Sequence, residues 1–533
     1  MRVADFFCGA GGFSEGFRQA GFEICFAVDK WRPAIATYKA NKPDTNTILD
    51  DVIRISELSD DEFDKFVPDT EVIVGSPPCQ AFSSSNKSGN GDKELGIKLL
   101  KAYYKIVARK KYKPHSILKY WVLENVPNIK KFIKEEYTAE DLGLEGDFIL
   151  HSYSDASGIY NAKYFGAPTN RKRFLCGDFP APVKTKTDDT VTTLRTVLNF
   201  LGEPLANDRL QITDCNYPDL VLPIEKVSDH QYRYMLQPFE WKKAKRLKED
   251  KGYMGRMSFP ENLDKPSRTV MATMSASSRE SMILRCSDNQ YRLPTVREVA
   301  SMMSFPLDYK FYGSSIGIKY TLVGNAVPPK LSYALAIAML HDSNEPVPNG
   351  YPRIHNKEEV KFIGLNYAEI PLKHEKQKKI TAKFKYHIPY LIMDAYRVEL
   401  TNYHSDFKNG DIRWDVELHY SQGKCKAKVY SYNIEVNQID IKLHNGINEF
   451  IRAMRGRMST AKELQKSFCM TEEERRNGQL LGPLELLEEV RGFIDENVIE
   501  DYKNSYTTFS SEMENIPTVI CVGYYILQEI MRI

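Results

Sequence analysis

Residues 1–182 of this 533-residue chain predict an α/β fold, a doubly wound, Rossmann-like sheet of parallel strands. Three observations carry that prediction. Short apolar runs alternate with stretches of helical periodicity, and strands separated by helices pair in parallel. The first run ends in a glycine turn that opens a helix. Two later runs end in segments rich in chemically active side chains, at the carboxyl ends where open parallel sheets bind their ligands.

The elements follow in order. Val3–Phe7 is a first strand, ending in Cys8-Gly9-Ala10-Gly11-Gly12. A helix through Ser14–Ala20 follows, with Gly21 placed as its C-terminal cap. Phe22–Val28 reads as the second strand, Glu71–Val74 as the third and Trp121–Leu123 as the fourth. Between the last two, Leu95, Leu99, Leu100, Tyr103, Ile106 and Val107 recur at helical spacing across Glu94–Lys111. From about Pro182 the alternation gives way to prolines, threonines and a basic run at Lys242–Lys248. Helical sequence resumes near Thr295 and runs to Leu340. Asn344–Pro352 reads as a Pro- and Gly-broken linker, and 353–533 is Lys-, Tyr- and Asn-rich, with strands expected at Trp414–Tyr420 and Lys428–Val436.

Composition bounds the function. The chain is 42% hydrophobic and 27% charged, an ordinary globular balance, and its formal charge is only +2. A nucleic-acid surface therefore has to come from local clustering of Lys and Arg. The nine cysteines form no CxxC pair and no metal-ligand spacing with His, so a reduced intracellular protein without a structural metal is expected. Met1–Asp5 leads straight into a strand, and no apolar run approaches a bilayer span. The expected location is cytoplasmic, with the nucleoid.

Each motif has a bland reading beside its chemical one. The glycine turn with Phe7, Gly9 and Gly11 lets a backbone approach a ligand, and the next helix start offers free amides; tight packing produces the same glycines. Asp29, at the end of the second strand, suits ribose hydroxyls. Trp31 suits an adenine face or the core, and Asp51 an adenine amino group or a solvated turn. Gly75-Ser76-Pro77-Pro78-Cys79-Gln80 follows an apolar strand and presents a thiol on a loop stiffened by two prolines. A thiolate is a soft nucleophile that can add to C6 of a pyrimidine. Methylation of exocyclic amino groups needs no thiol, so Cys79 argues for carbon as the acceptor. Glu124, after Trp121–Leu123, can hydrogen-bond N3 and the 4-amino group of cytosine and ease attack at C6. Arg171 and Arg173 suit an anionic partner or a surface turn.

Taken in order, these segments resemble the cytosine-C5 DNA methyltransferase family. Asp5-Phe6-Phe7-Cys8-Gly9-Ala10-Gly11-Gly12 is similar to its cofactor motif, Ser76–Gln80 to its catalytic loop and Glu124-Asn125-Val126 to its Glu-Asn-Val motif. Arg171 and Arg173 resemble its paired arginines, with Thr169 standing where the family often has Gln. Arg292–Glu298 with Phe305-Pro306, and Val323–Pro329, resemble its last two motifs. The resemblance implies a class I S-adenosylmethionine-dependent methyltransferase fold, with Cys79, Glu124, Arg171 and Arg173 catalytic. Phe7, Gly9, Gly11, Asp29, Trp31, Asp51 and Asn325 would surround S-adenosylmethionine, with no metal. It implies a catalytic domain at 1–182 and 288–342, a smaller, mixed target recognition domain at 183–287, a linker at 343–352 and an accessory α+β C-terminal domain at 353–533.

The implied substrate is double-stranded DNA with its cytosine flipped out, contacted by Gln80, Ser83, Lys242, Lys243, Lys245 and Arg246. The basic run is equally the pattern of a solvated helix face. The implied setting is restriction-modification or another defence system, with a restriction endonuclease or another defence protein as partner. For 353–533 three readings stand. A nuclease would use Asp440-Ile441-Lys442 with Asp411 or Asp415. A DNA-binding module would use Lys373–His387, and a protein-docking module the apolar Val519–Ile530; the accessory binding module is favoured. For the whole chain, a tRNA-methylating relative is disfavoured by the hundred residues at 183–287, and a non-catalytic DNA-binding relative by the intact Cys79, Glu124, Arg171 and Arg173.

Overall fold

The computed structural model describes residues 1–533 except 79–81, 83–91, 207–208, 251–254, 355–369, 422–427, 431–440, 459, 498–504, 508–515 and 533. Two compact units emerge, one from 1–236 with 260–371 and the other from 237–259 with 372–533.

In the first unit the apolar runs become β1 (Arg2–Phe6), β2 (Glu23–Asp29), β3 (Asn46–Leu49), β4 (Val72–Gly75) and β5 (Tyr120–Asn125). All five pair in parallel, as expected for the four read from the sequence; β3 is additional. The seven-stranded sheet has the order β3-β2-β1-β4-β5-β7-β6, completed by β6 (Gly158–Asn161) and β7 (Lys172–Asp178). Neither of these last two was among the strands expected from the sequence. β7 runs antiparallel to β5, and β6 antiparallel to β7. Strand order reverses between β1 and β4, so the crevice beyond their carboxyl ends is the switch point at which such sheets bind ligands.

Burial explains why the strands are apolar on both sides. One face, with Ala4, Phe6, Phe26, Ile73, Trp121 and Leu123, packs on α3 (Lys93–Lys111) through Leu100, Tyr103, Tyr104, Ile106 and Val107. The other face, with Val3, Ala27, Val72, Val74 and Val122, packs on α1 (Gly12–Gln19) and α7 (Pro329–Asp342). Before α7 come α2 (Arg32–Asn41), α5 (Val296–Met302) and α6 (Ile316–Asn325), with α4 (Pro238–Glu249) in the second unit.

The contact between α1 and α7 joins segments more than 300 residues apart in the chain. A Cβ at Gly16 would lie 2.2 Å from Ser332 Oγ and 2.5 Å from the Pro329 carbonyl oxygen; one at Gly12 would lie 2.2 Å from the Val327 carbonyl oxygen. Only glycine lets the helices approach this closely. The expected linker is tied to the same unit: Tyr351 donates to Asp308 Oδ1 at 2.7 Å, and the Ile354 amide donates to Asp308 Oδ2 at 2.9 Å.

The region expected as a recognition domain is divided between the units. Within the first unit it contributes the helix Leu194–Leu201, the pairing of Gln211–Thr213 with Val221–Pro223, and short strands about Tyr234 and Leu284 that pair with Tyr291–Leu293 of the closing catalytic segment. Its segment 237–259, which holds the basic run, belongs to the second unit.

The second unit carries a four-stranded antiparallel sheet, β8 (Lys385–His387), β9 (Tyr396–Thr401), β10 (Asp415–Tyr420) and β11 (Lys428–Tyr430), with helices on its apolar face. The final helix α8 (Thr518–Ile530) packs in that core with Val398, Leu400, Leu418, Leu487 and Val490. The apolar Val519–Ile530 is thus interior, which removes its reading as an exposed docking segment. Among the described residues no helix is long and apolar enough to cross a membrane.

Gly16→Ala is expected to destabilise the protein by about 1–3 kcal/mol, the usual range for overpacking a close contact. Urea unfolding checks this; an unchanged midpoint would mean that α1 and α7 separate without consequence.

Candidate active site

At the end of β1 the chain turns sharply. Phe7 adopts φ +56°, a left-handed conformation that is strained for a bulky residue. Gly9 and Gly11 follow at φ +52° and +83°. A Cβ at Gly9 would meet nothing within 4 Å, whereas one at Gly11 would lie 2.7 Å from the Tyr309 hydroxyl. The first face of the turn is open and the second is packed. Asp29, at the end of β2, accepts the Gly9 amide on Oδ2 at 2.9 Å and the Trp31 amide on Oδ1 at 2.8 Å. It thereby ties the glycine turn to the start of α2; burial raises its pKa. Each oxygen keeps a second lone pair for a ligand. Trp31 is half-buried and precedes α2 as its N-cap residue. Asp51 caps the helix Val52–Ser56 through Oδ1, 2.9 Å from the Ile53 amide.

The turn has a polar floor that sequence reading missed. Asp5 is 1% exposed, and burial pushes its pKa up to about 7, against the lowering effects of Ser14 and Lys42. Its Oδ1 has no hydrogen-bond partner among the described residues. Tyr38 donates to Ser14 Oγ at 2.7 Å, and Lys42 Nζ reaches Glu15 Oε2 at 3.2 Å. The single signal in the sequence is an acid inside an apolar strand.

At the reactive end, β4 closes on Gly75, where a Cβ would lie 2.2 Å from the Tyr103 ring. Ser76, Pro77 and Pro78 follow. Cys79, Gln80 and Ser83 lie outside the described residues. Glu124, on the last turn of β5, is 5% exposed and held from two sides. Ser76 Oγ donates to its Oε2 at 2.5 Å, and Arg173 Nε lies 2.9 Å from its Oε1. Asn125 Nδ2 donates to the Pro77 carbonyl at 2.8 Å, fixing the Pro-Pro segment against the end of β5. Sequence reading had passed over Ser76 and Asn125, although both stand inside quoted motifs.

The two arginines do different things. Because β7 runs antiparallel, its first residues lie at the carboxyl ends of the parallel strands, and Arg173 reaches Glu124 from there. Arg171 is 2% exposed and donates to the Val270 carbonyl through Nη1 and the Ala326 carbonyl through Nη2, both at 3.0 Å. It fixes backbone next to Asn325, the exposed last residue of α6, instead of reaching Glu124. Thr169 pairs in parallel with Ser267 and donates from Oγ1 to the Arg268 carbonyl at 3.2 Å. Here the residue in the Gln position joins two strands.

Within the second unit, Lys242 pairs with Glu472 and Arg246 with Glu488. Arg246 also lies over the Tyr386 ring, 5.3 Å from its centre. Lys243 and Lys245 are exposed. Of the four cations expected to face phosphates, Lys242 and Arg246 thus meet carboxylates of their own unit. For the nuclease reading, Asp440 and the Lys442 side chain lie outside the described residues, while Asp411 pairs with Arg413 and Asp415 with His404. A different buried group, Glu399, Glu417 and His419, has ligand atoms within 4.8 Å of one another. Lys385 lies 2.9 Å from Glu417 and 3.3 Å from Glu399, and Arg397 lies 2.6 Å from Glu399. Two cations thus balance the two carboxylates.

A doubly wound sheet with a glycine turn at the end of β1, a buried acid at the end of β2 and a fixed carboxylate at the end of β5 is the architecture of an α/β protein with its polar groups gathered at the carboxyl ends of the strands. Residues 1–341 match the family model described as C-5 cytosine-specific DNA methylase. The chain belongs to that family, and it is a DNA methyltransferase. The type II methyltransferase M.MthTI of Methanothermobacter thermautotrophicus is 30% identical over 359 residues, covering 63% of this chain and 96% of that protein. M.HgiDI of Herpetosiphon aurantiacus is 30% identical over 359 residues, covering 65% and 96%. The crystal structure of S. pombe Dnmt2 methyltransferase aligns with TM-score 0.43 and 19% identity over 64% of this chain and 99% of that one. The family match leaves residues after 341 uncovered.

A pH dependence follows from Asp5. Its folded pKa of about 7 exceeds the ordinary 3.8, so between those values the unfolded chain releases a proton that the folded chain keeps. Stability contributed by this group is lost as pH rises through that window and is constant above it. Asp5→Asn is expected to flatten that part of the profile, raising thermal stability relative to the parent at pH 8 more than at pH 4. Parallel profiles for the two proteins would contradict the assignment.

Proposed function

We propose that this methyltransferase adds a methyl group to C5 of a cytosine flipped out of a specific duplex DNA sequence, through a covalent bond from Cys79 to C6. The observation that carries the reading is Glu124. Its carboxylate is locked by Arg173 and Ser76 beside the Pro77-Pro78 segment that leads into Cys79. With both oxygens oriented from behind, Glu124 is preorganised to share a proton with N3 of cytosine through one oxygen and to accept from the 4-amino group through the other; the proton at N3 draws electron density from C6. The Cys79 thiolate then adds to C6, and the displaced electron pair makes C5 nucleophilic. After C5 is methylated, a base removes the C5 proton, the C5–C6 double bond re-forms and Cys79 leaves as thiolate.

S-adenosylmethionine, bound at the glycine turn, would supply the electrophilic methyl group. The residues fit it: Gly9 opens onto free space, α1 begins with unsatisfied amides, and Asp29 and Asp51 stand at successive strand ends. Phe7, Trp31 and Asn325 would complete its surroundings. Arg171 serves by holding the backbone beside Asn325. Lys243 and Lys245, with Gln80 and Ser83, are the proposed DNA contacts, since phosphate contacts supply affinity and base contacts supply specificity.

The type II names of the relatives support a place in a restriction-modification system, acting on nucleoid DNA in the cytoplasm beside a partner endonuclease. The second unit is an accessory binding module in this reading.

Cys79→Ala is expected to abolish methylation, read by bisulfite sequencing of DNA from expressing cells, while leaving S-adenosylhomocysteine binding nearly intact. Full activity in that variant would sink the mechanism. Duplexes carrying 5-fluorocytosine should form a denaturant-resistant adduct with the parent protein and none with Cys79→Ala. Glu124→Gln should lower kcat by about 10²–10⁴-fold, the range for loss of a positioned acid–base group.

A further inference from the structure

Beneath the glycine turn lies a buried ammonium for which the mechanism above has no use. Lys42, just after α2, is 4% exposed. Its Nζ donates to the Gly11 carbonyl at 3.2 Å and to the Tyr309 hydroxyl at 3.0 Å, and it lies 3.2 Å from the fully buried Glu15. Tyr309, equally buried, donates in turn to the Ala10 carbonyl at 2.5 Å. Glu15 is shared with Arg18, at 2.8 and 3.0 Å, and with Gln19 at 3.0 Å. Lys42 also lies within 5.0 Å of the Tyr38 ring centre and 4.8 Å of that of Tyr309.

Burying an ammonium in such a place is unfavourable, and an apolar side chain of the same volume commonly serves stability as well or better. What Lys42 and Tyr309 add beyond packing is two grips on consecutive carbonyls of the turn. A trans peptide fixes its N–H opposite its C=O. Lys42 adds to the Glu15 amide at 2.9 Å and the Ser14 hydroxyl at 3.3 Å in holding the Gly11 carbonyl inward, which fixes the outward direction of the Gly12 amide at the start of α1. Holding the Ala10 carbonyl fixes the Gly11 amide, which donates to the Cys8 carbonyl at 2.8 Å and sets the pitch of the turn.

We propose that Lys42 and Tyr309 are positioning residues for the methyl donor: they preset the Gly12 amide and the pitch of the Gly9–Gly12 turn for S-adenosylmethionine without touching it. The proposal rests on the reading of that turn as the donor site. It also gives the segment after Phe305-Pro306 a task, since Tyr309 reaches back to a turn 299 residues earlier.

The test uses the full-length chain with Lys42→Met, which keeps the apolar stem, and Tyr309→Phe, which removes only a hydroxyl. Calorimetric titration with S-adenosylhomocysteine should give a Kd raised about tenfold in each variant, the effect of one charge-assisted hydrogen bond. Because the two residues act as one bracket, the double variant should be little weaker than either single one. In methylation assays the KM for S-adenosylmethionine should rise with kcat at saturating donor nearly unchanged, a split that general loss of stability does not produce. A parent-like Kd in folded Tyr309→Phe would overturn the proposal even if Lys42→Met fails to fold. Absence of S-adenosylhomocysteine binding by the parent protein would instead overturn the donor-site reading on which it stands.

Discussion

The approach of α1 to α7 is the constraint on which the first unit depends. Gly12 and Gly16 present no side chain to Val327, Pro329 and Ser332, so two backbones meet where any Cβ would hold them apart. This contact covers one face of the sheet with segments from opposite ends of the family-matched region. It also positions the start of α1, whose amides border the glycine turn. Burial and chemistry are therefore coupled: the helix that closes the hydrophobic layer is the helix that opens the crevice.

The same economy recurs at Glu124. Its carboxylate would be an unfavourable guest at 5% exposure, but Arg173 and Ser76 satisfy one oxygen each. Removing one partner of such a pair leaves an uncompensated buried charge. Arg171 extends the arrangement by gripping two carbonyls, so strand, closing segment and α6 meet at one guanidinium. Side chains of one type, two residues apart, thus fix a carboxylate in one case and backbone in the other.

Much of this was legible in the chain. The glycine turn, the Pro-Pro-Cys-Gln segment and Glu124-Asn125 are contiguous, and an apolar strand before each fixes where they stand. Four of the parallel strands and the helix α3 followed from the apolar runs and their spacing, while β3 did not. What escaped reading depends on contacts between distant segments. The antiparallel course of β7 decides that Arg173 and not Arg171 meets Glu124, and nothing in Arg171-Lys172-Arg173 reports it. Lys42 and Tyr309 are 267 residues apart and each looks like an ordinary surface-type residue. A basic helix has the same pattern whether it faces phosphates or carboxylates, so the pairing of Lys242 with Glu472 could not be inferred.

The segment 237–259 has a consequence for ancestry. The second unit is assembled from two stretches separated by more than a hundred residues of the first, and Lys373 meets Glu240 while Tyr386 and Tyr390 meet Asp250 across that gap in sequence. A recombination event that delivered 372–533 alone would have delivered a domain lacking one of its helices. The two stretches are therefore a single heritable module written in two places, and a change in either must be matched in the other.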